Sequence, residues 1–134
     1  MLNAANLRRL ALELPETYED THRLRPAFRV NRRIFAMLGV TGNEAMFLEL
    51  ADEGVAVLKL DRGDQLNMAA MWNGAVSPTT AYGHHGWTRV RLSEVDEPTL
   101  TTLVRLAWTH VAPKRLSAAA KRRTAPSTPS VKSC

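Results

Sequence analysis

Five arginines, Arg23, Arg25, Arg29, Arg32 and Arg33, stand within one short stretch with no acidic residue among them. A guanidinium is planar, permanently charged and carries a fork of donors that matches two oxygens of a phosphate. Such a cluster suits two readings: a solvated hairpin face that keeps the protein soluble, or a surface that contacts phosphates. Further cations fall on strand-like segments (Lys59, Arg89, Arg91) or just after the last helix (Lys114, Arg115). Neighbouring strands would bring several of these to one solvent-facing surface. There they could meet a duplex backbone, where bound cations displace condensed counterions. A two-stranded ribbon also fits a major groove.

Other chemistry has less support. The histidines are His22, His84, His85 and His110, and no HExxH occurs. His84 and His85 are adjacent, so on a strand they would face opposite ways. A zinc site would have to recruit His22 from a separate segment. Cys134 is the single cysteine, which excludes a disulfide within the chain and a thiolate zinc cluster. Glu49, Asp52, Glu53, Asp61 and Asp64 lie near turns and read as solvated carboxylates. Neither a GxSxG elbow nor a phosphate loop of the GxxxxGK[ST] or GxGxxG type is present. The expectation is a binding protein, not an enzyme, with no catalytic residue, metal or cofactor.

The elements that must position the cations follow from periodicity. A helix is predicted over 4–14, capped by Asn3, stapled by Leu2 and Leu7, and ended by Pro15. The stretch ETYEDTHRLR is mostly polar. In PAFRVNRRIFAML, apolar Phe28 and Val30 alternate with Arg29, Asn31 and Arg32 make a turn, and Ile34–Leu38 returns, giving a β-hairpin with an arginine-rich outer surface. Phe28 and Phe35 are expected behind it. Residues 39–44 read as a turn, Met46–Leu50 as a strand or extended stretch, and Val55–Leu60 as a strand. A helix follows over about 64–72, with Leu66, Ala69 and Ala70 inward. Residues 73–86 form a long Gly/Pro/Ser/Thr-rich connection that either carries function or packs on the fold. WTRVRL reads as a strand with Trp87, Val90 and Leu92 inward. Leu100, Leu103, Val104, Ala107, Trp108 and Val111 mark the last helix, capped by Asp96 and ended by Pro113. Short strands joined by turns imply α+β: an antiparallel sheet packed against helices on one face.

Charge and length complete the reading. The chain of 134 residues has 18 basic and 13 acidic side chains, a net of +5, and is 45% hydrophobic, enough for one core. From Pro113 onward six residues are basic (Lys114, Arg115, Lys121, Arg122, Arg123 and Lys132) and none is acidic, which leaves 12 basic against 13 acidic before it. The excess therefore belongs to the end of the chain. Residues 1–116 read as one domain and 117–134 as a basic, disordered tail. The N-terminus lacks the apolar core of a signal peptide, so a cytoplasmic location is expected, with no membrane partner.

The blocks RPAFRVNRRIFAML, VAVLKL and GHHGWTRVRLSEVDEPTLTTLVRLAWTHVAPKRL resemble the MmcQ/YjbR-like family from about Asn3 to Leu116. The last block is the most specific: Gly86 and Trp87, a short strand, the Asp96 cap, an amphipathic helix and the Ala112–Leu116 ending. The resemblance implies a CyaY-like α+β arrangement described as a double wing, a DNA-binding label and no catalytic residue set. The basic positions that match are Arg25, Arg29, Lys59, Arg89, Lys114 and Arg115. The chain departs from the family pattern between Met37 and Gly54 and in its basic tail.

Together these observations predict contact with the phosphates of double-stranded DNA through Arg25, Arg29, Arg32, Arg33, Lys59, Arg89, Lys114 and Arg115. The alternative is a protein-interaction or small-ligand-binding domain whose site is shaped by the Ser77–His85 loop.

Overall fold

In the first helix, α1 (Ala4–Leu12), the orphan amides are satisfied reciprocally. The Asn3 side chain accepts from the N–H groups of Ala5 (3.0 Å) and Asn6 (3.3 Å), while the Asn6 side chain accepts from the Asn3 N–H (2.9 Å). Leu7, Leu10 and Ala11 form its buried stripe. The computed structural model describes residues 1–43 and 47–116; the predicted tail over 117–134 lies outside them.

Six strands follow: β1 (Tyr18–His22), β2 (Arg25–Val30), β3 (Arg33–Leu38), β4 (Val55–Lys59), β5 (Val76–Pro78) and β6 (Trp87–Arg91). All pairings are antiparallel, in the order β1-β2-β3-β4-β6-β5. Helix α2 (Arg62–Met71) joins β4 to β5, and α3 (Glu97–Val111) closes the order. The two N-terminal turns each hold two central residues at positive φ: Arg23 (52°) with Leu24 (66°), and Asn31 (54°) with Arg32 (65°). That is the type I′ geometry, whose twist matches a two-residue hairpin.

Helices α1, α2 and α3 contribute to the core on one face of the sheet. Leu7 of α1, Met68 of α2, and Leu103 and Trp108 of α3 meet Phe28, Ala36, Leu58 and Val90 there. The pairing of β2 with β3 shifts between Phe28 and Arg29, which leaves Phe35 as an extra residue. This bulge lets both Phe35 and Ala36 reach the helical side. The antiparallel α+β architecture is the one predicted.

The opposite face is not left to water. Ala27, Met37, Phe47, Leu50 and Val57 form a second buried cluster, with Ile34 and Trp87 packed against it. The chain between β3 and β4 doubles back to cover this face. Its bonds run from the N–H of Gly39 to Val55 O (3.0 Å), of Val40 to Leu50 O (2.9 Å) and of Gly42 to Ala51 O (3.0 Å). Only glycine fits at position 39, because a Cβ there would lie 1.9 Å from the Asp52 carbonyl oxygen.

Several local expectations change. Leu48–Ala51 is a 3₁₀ turn instead of a strand, and Phe47 and Leu50 of the excursion are buried against the sheet; residues 44–46 lie outside the description. The polar segment before the hairpin is an edge strand, β1, and the long connection contains β5. Helix α2 starts at Arg62 and buries Gln65 and Met68, leaving Leu66 52% exposed. On β6 the inward residues are Thr88 and Val90, so Trp87 shares the other face with Arg89 and Arg91. The Thr88 hydroxyl meets this burial by donating to Gly86 O at 2.9 Å.

Candidate anion-binding site

The β2–β3 hairpin carries its arginines differently from one another. Arg29 is built in: its Nε donates to Asp20 Oδ2 at 3.0 Å and its Nη1 to the Arg32 carbonyl at 2.9 Å. The second bond braces a turn whose Arg32 sits in the left-handed region, a conformation unfavourable for a side chain. Arg32 and Arg33 are exposed. Neither side chain has an ion pair or hydrogen bond to the described residues.

Beside the hairpin lies a notch of about 370 Å³. Arg29, Arg33 and Ile34 line it from the hairpin, Lys59 from β4 and Trp87 from β6. His22 of β1 and His110 and Val111 of the last turn of α3 complete it. The Lys59 ammonium stands 5.1 Å from the Trp87 ring centroid, a cation–π contact. Trp87 leans on Phe47 (5.6 Å), Phe47 on Tyr82 (6.0 Å), and Tyr82 stacks on His85 (6.4 Å). Burial lowers the pKa of His22; Arg23, Arg29 and Arg25 lower it further against an opposing Asp20. Among the described residues no acidic side chain lines the notch.

The other predicted cations are placed elsewhere or are engaged. Arg25 is 0% exposed, and its Nη2 donates to Asn43 O (2.8 Å) and Oδ1 (2.9 Å). Burial, then Arg23, lowers its pKa. It anchors the covering excursion to the sheet and cannot reach an external phosphate, which corrects its place in the predicted set. Arg89 Nη2 donates to Gly74 O at 2.6 Å and lies near Glu49. Burial works to raise the Glu49 pKa, but the Thr80 hydroxyl and amide, with Arg89, hold it below its usual value. Arg89 therefore stands outside the open cluster. Arg115 pairs with Glu16 at 3.3 Å, in the turn segment that follows α1, and Lys114 has interactions of its own.

The notch gathers Arg29, Arg33 and Lys59 from the predicted set. His22, His110, Ile34 and Val111 join it without a sequence signal, because they meet only through pairing and helix packing. His84 and His85 lie 4.0 Å apart by ring centroid, beyond the notch. Among the described residues no three His, Cys, Asp or Glu side chains are grouped to hold a metal ion.

A family model for YjbR matches residues 12–110. The chain belongs to the YjbR family. The resemblance read from its hairpin and C-terminal blocks thus holds. No curated protein matches the chain. Among solved structures, that of Deinococcus radiodurans protein DR2400 is similar at a TM-score of 0.66 and 21% identity, covering 92% of this chain and 88% of that one. At that identity the likeness speaks for the fold alone. No helix among the described residues is long and apolar enough to cross a membrane.

Proposed function

We propose that this YjbR-family chain is a DNA-binding module that meets the phosphates of a duplex through the β2–β3 hairpin and the adjoining Lys59. The observation that carries this reading is the pair Arg32 and Arg33. Both are exposed, both lack a counter-charge among the described residues, and both flank the braced Arg29. Among the other exposed cations, Arg9, Arg91 and Arg115 already have acidic partners: Glu97 (3.2 Å), Glu94 (3.9 Å) and Glu16 (3.3 Å). A cation already paired gains less from a phosphate than a free one. The role of the sheet is placement, since phosphate contacts set position and carry no base information.

The test is fluorescence anisotropy with a short labelled duplex across a salt series, using the full chain. Each phosphate contact contributes about −0.9 to the slope of log K against log salt. R32E/R33E should lose affinity and flatten the slope by about 2. A second variant replaces Lys121, Arg122 and Arg123 by glutamine. Unchanged binding in R32E/R33E, with binding lost in the second variant, would assign the affinity to the basic tail and sink the hairpin reading. The concavity of the notch favours a second reading, a small anionic ligand held without catalysis.

A further inference from the structure

Contact with a duplex backbone requires no concavity, yet the basic notch is concave. Its volume of about 370 Å³ lies within the range of small-molecule sites. Cations enter it from three strands: Arg29 on β2, Arg33 on β3 and Lys59 on β4. A phosphodiester carries one negative charge and is met by cations spread along a surface. A phosphate monoester carries about −1.5 to −2 at pH 7 and three acceptor oxygens. It therefore suits several cations converging on one point.

The cations are also held ready. Arg29 commits Nε to Asp20 and Nη1 to the Arg32 carbonyl, and its Nη2 has no partner among the described residues. The Lys59 ammonium is held over the Trp87 ring, 5.1 Å from its centroid. Arg33 has no ion pair among the described residues. His22 and His110 flank these three, and each imidazole can turn a ring N–H toward a phosphate oxygen. Ile34, Val111 and Trp87 offer an apolar wall to whatever carries the phosphate. The C-terminal end of α3 adds an opposing partial charge of about −0.5, small beside three full cations.

We propose that the notch receives a terminal phosphate monoester borne by a nucleoside, either the 5′-phosphorylated end of a DNA strand or a free nucleoside monophosphate. The nucleoside part of this inference rests on the DNA reading; the monoester part rests on the notch.

The full chain is titrated against a labelled duplex with 5′-phosphate ends and against the same duplex with 5′-hydroxyl ends. Deoxyadenosine monophosphate and deoxyadenosine serve as competitors and are also titrated directly by calorimetry. The phosphorylated duplex should bind about tenfold more tightly, the monophosphate should compete and the nucleoside should not. K59Q and R33Q should each remove most of that preference, while R105Q, outside the notch, should keep it. Thermal unfolding of each variant confirms that it is folded. Binding of the monophosphate with no binding to either duplex supports the site and ends the DNA reading. Equal binding to both duplexes with no competition overturns the site and leaves the DNA reading standing. No binding to any of the four overturns both. A phosphate preference that survives K59Q and R33Q in folded protein overturns its location.

Discussion

Gln65 ties α2 to the sheet, and two substitutions there should differ sharply. The side chain is 0% exposed, and its Nε2 donates to Gly83 O (3.0 Å), Trp87 O (3.1 Å) and Thr88 Oγ1 (3.1 Å). Its Oε1 accepts from Arg62. Leucine at this position removes the donors but orphans nothing. Gly83 O keeps the Gly86 N–H (2.9 Å), Trp87 O keeps the Thr79 N–H (3.0 Å), and the Thr88 hydroxyl still donates to Gly86 O. Helix propensity is nearly unchanged. Gln65→Leu should therefore cost about 1 kcal/mol, the net worth of an ordinary buried hydrogen bond. Glutamate is nearly isosteric but, when ionised, only accepts. One carboxylate oxygen can use Arg62; the other faces three oxygens in a buried site. Gln65→Glu should cost about 3 kcal/mol or more at pH 7, or roughly 10 °C in Tm for a chain of this size. Burial places the pKa of the new carboxyl in the folded state above its unfolded value. The penalty is then complete above that folded pKa and shrinks as pH falls toward the ordinary glutamate range, where the protonated group can donate again. Urea unfolding of both variants at pH 7 and pH 5 measures this. Equal stabilities at pH 7, or no relative gain for Gln65→Glu on acidification, would refute the donor role assigned to Gln65.

Gly86→Ala should cost about 3 kcal/mol or more, because a Cβ there would stand 2.1 Å from Leu60 O at a φ of +98°, where the Leu60 N–H bonds Gly86 O at 2.8 Å. Gly42→Ala separates sterics from backbone strain: φ is +81° but no atom of the described residues lies within 4 Å of the added Cβ, so about 1–2 kcal/mol is expected; equal urea midpoints for the two variants would contradict the close-approach argument. For His22 the folded pKa is lowered, by burial first and then by Arg23, Arg29 and Arg25. Its contribution to stability is present above the unfolded value of 6.5 and is lost as pH falls from there through the folded pKa, since the unfolded chain takes up the proton first. His22→Gln should flatten the stability profile below pH 6.5, and an unaltered profile would remove His22 from that balance.

Legibility in the sequence tracked how local each determinant is. The Asp96 cap, which accepts from the Thr99 N–H at 2.9 Å, and the stripe ending in Trp108 could be read directly, because a helix repeats its contacts within four residues. The β2–β3 hairpin was readable for the same reason, with Asn31 at its turn. The edge strands were not. Tyr18–His22 is polar throughout and pairs by backbone bonds that any side chain permits, and Val76–Pro78 is too short to show a period. In α2 the helical period was right but its phase was not, since a buried amide with three acceptors looks polar until those acceptors are known.

The candidate site divides in the same way. The sequence by itself determined that Arg29, Arg32 and Arg33 would crowd one hairpin and that Lys59 and Trp87 would end up on strands. Only the tertiary structure decided which cations remain open. Arg25 and Arg29 point to the same side of one strand, yet Arg25 is sealed beneath the excursion that holds Asn43 while Arg29 borders the notch. That excursion covers part of the second sheet face, and no pattern of alternation records where a loop folds back. Strand order likewise places Lys59 beside Trp87, and the length of α3 brings His110 to the same notch. The physical reason is range: caps, turns and periodicity act over a few residues, whereas the burial of a charge depends on atoms supplied by distant parts of the chain.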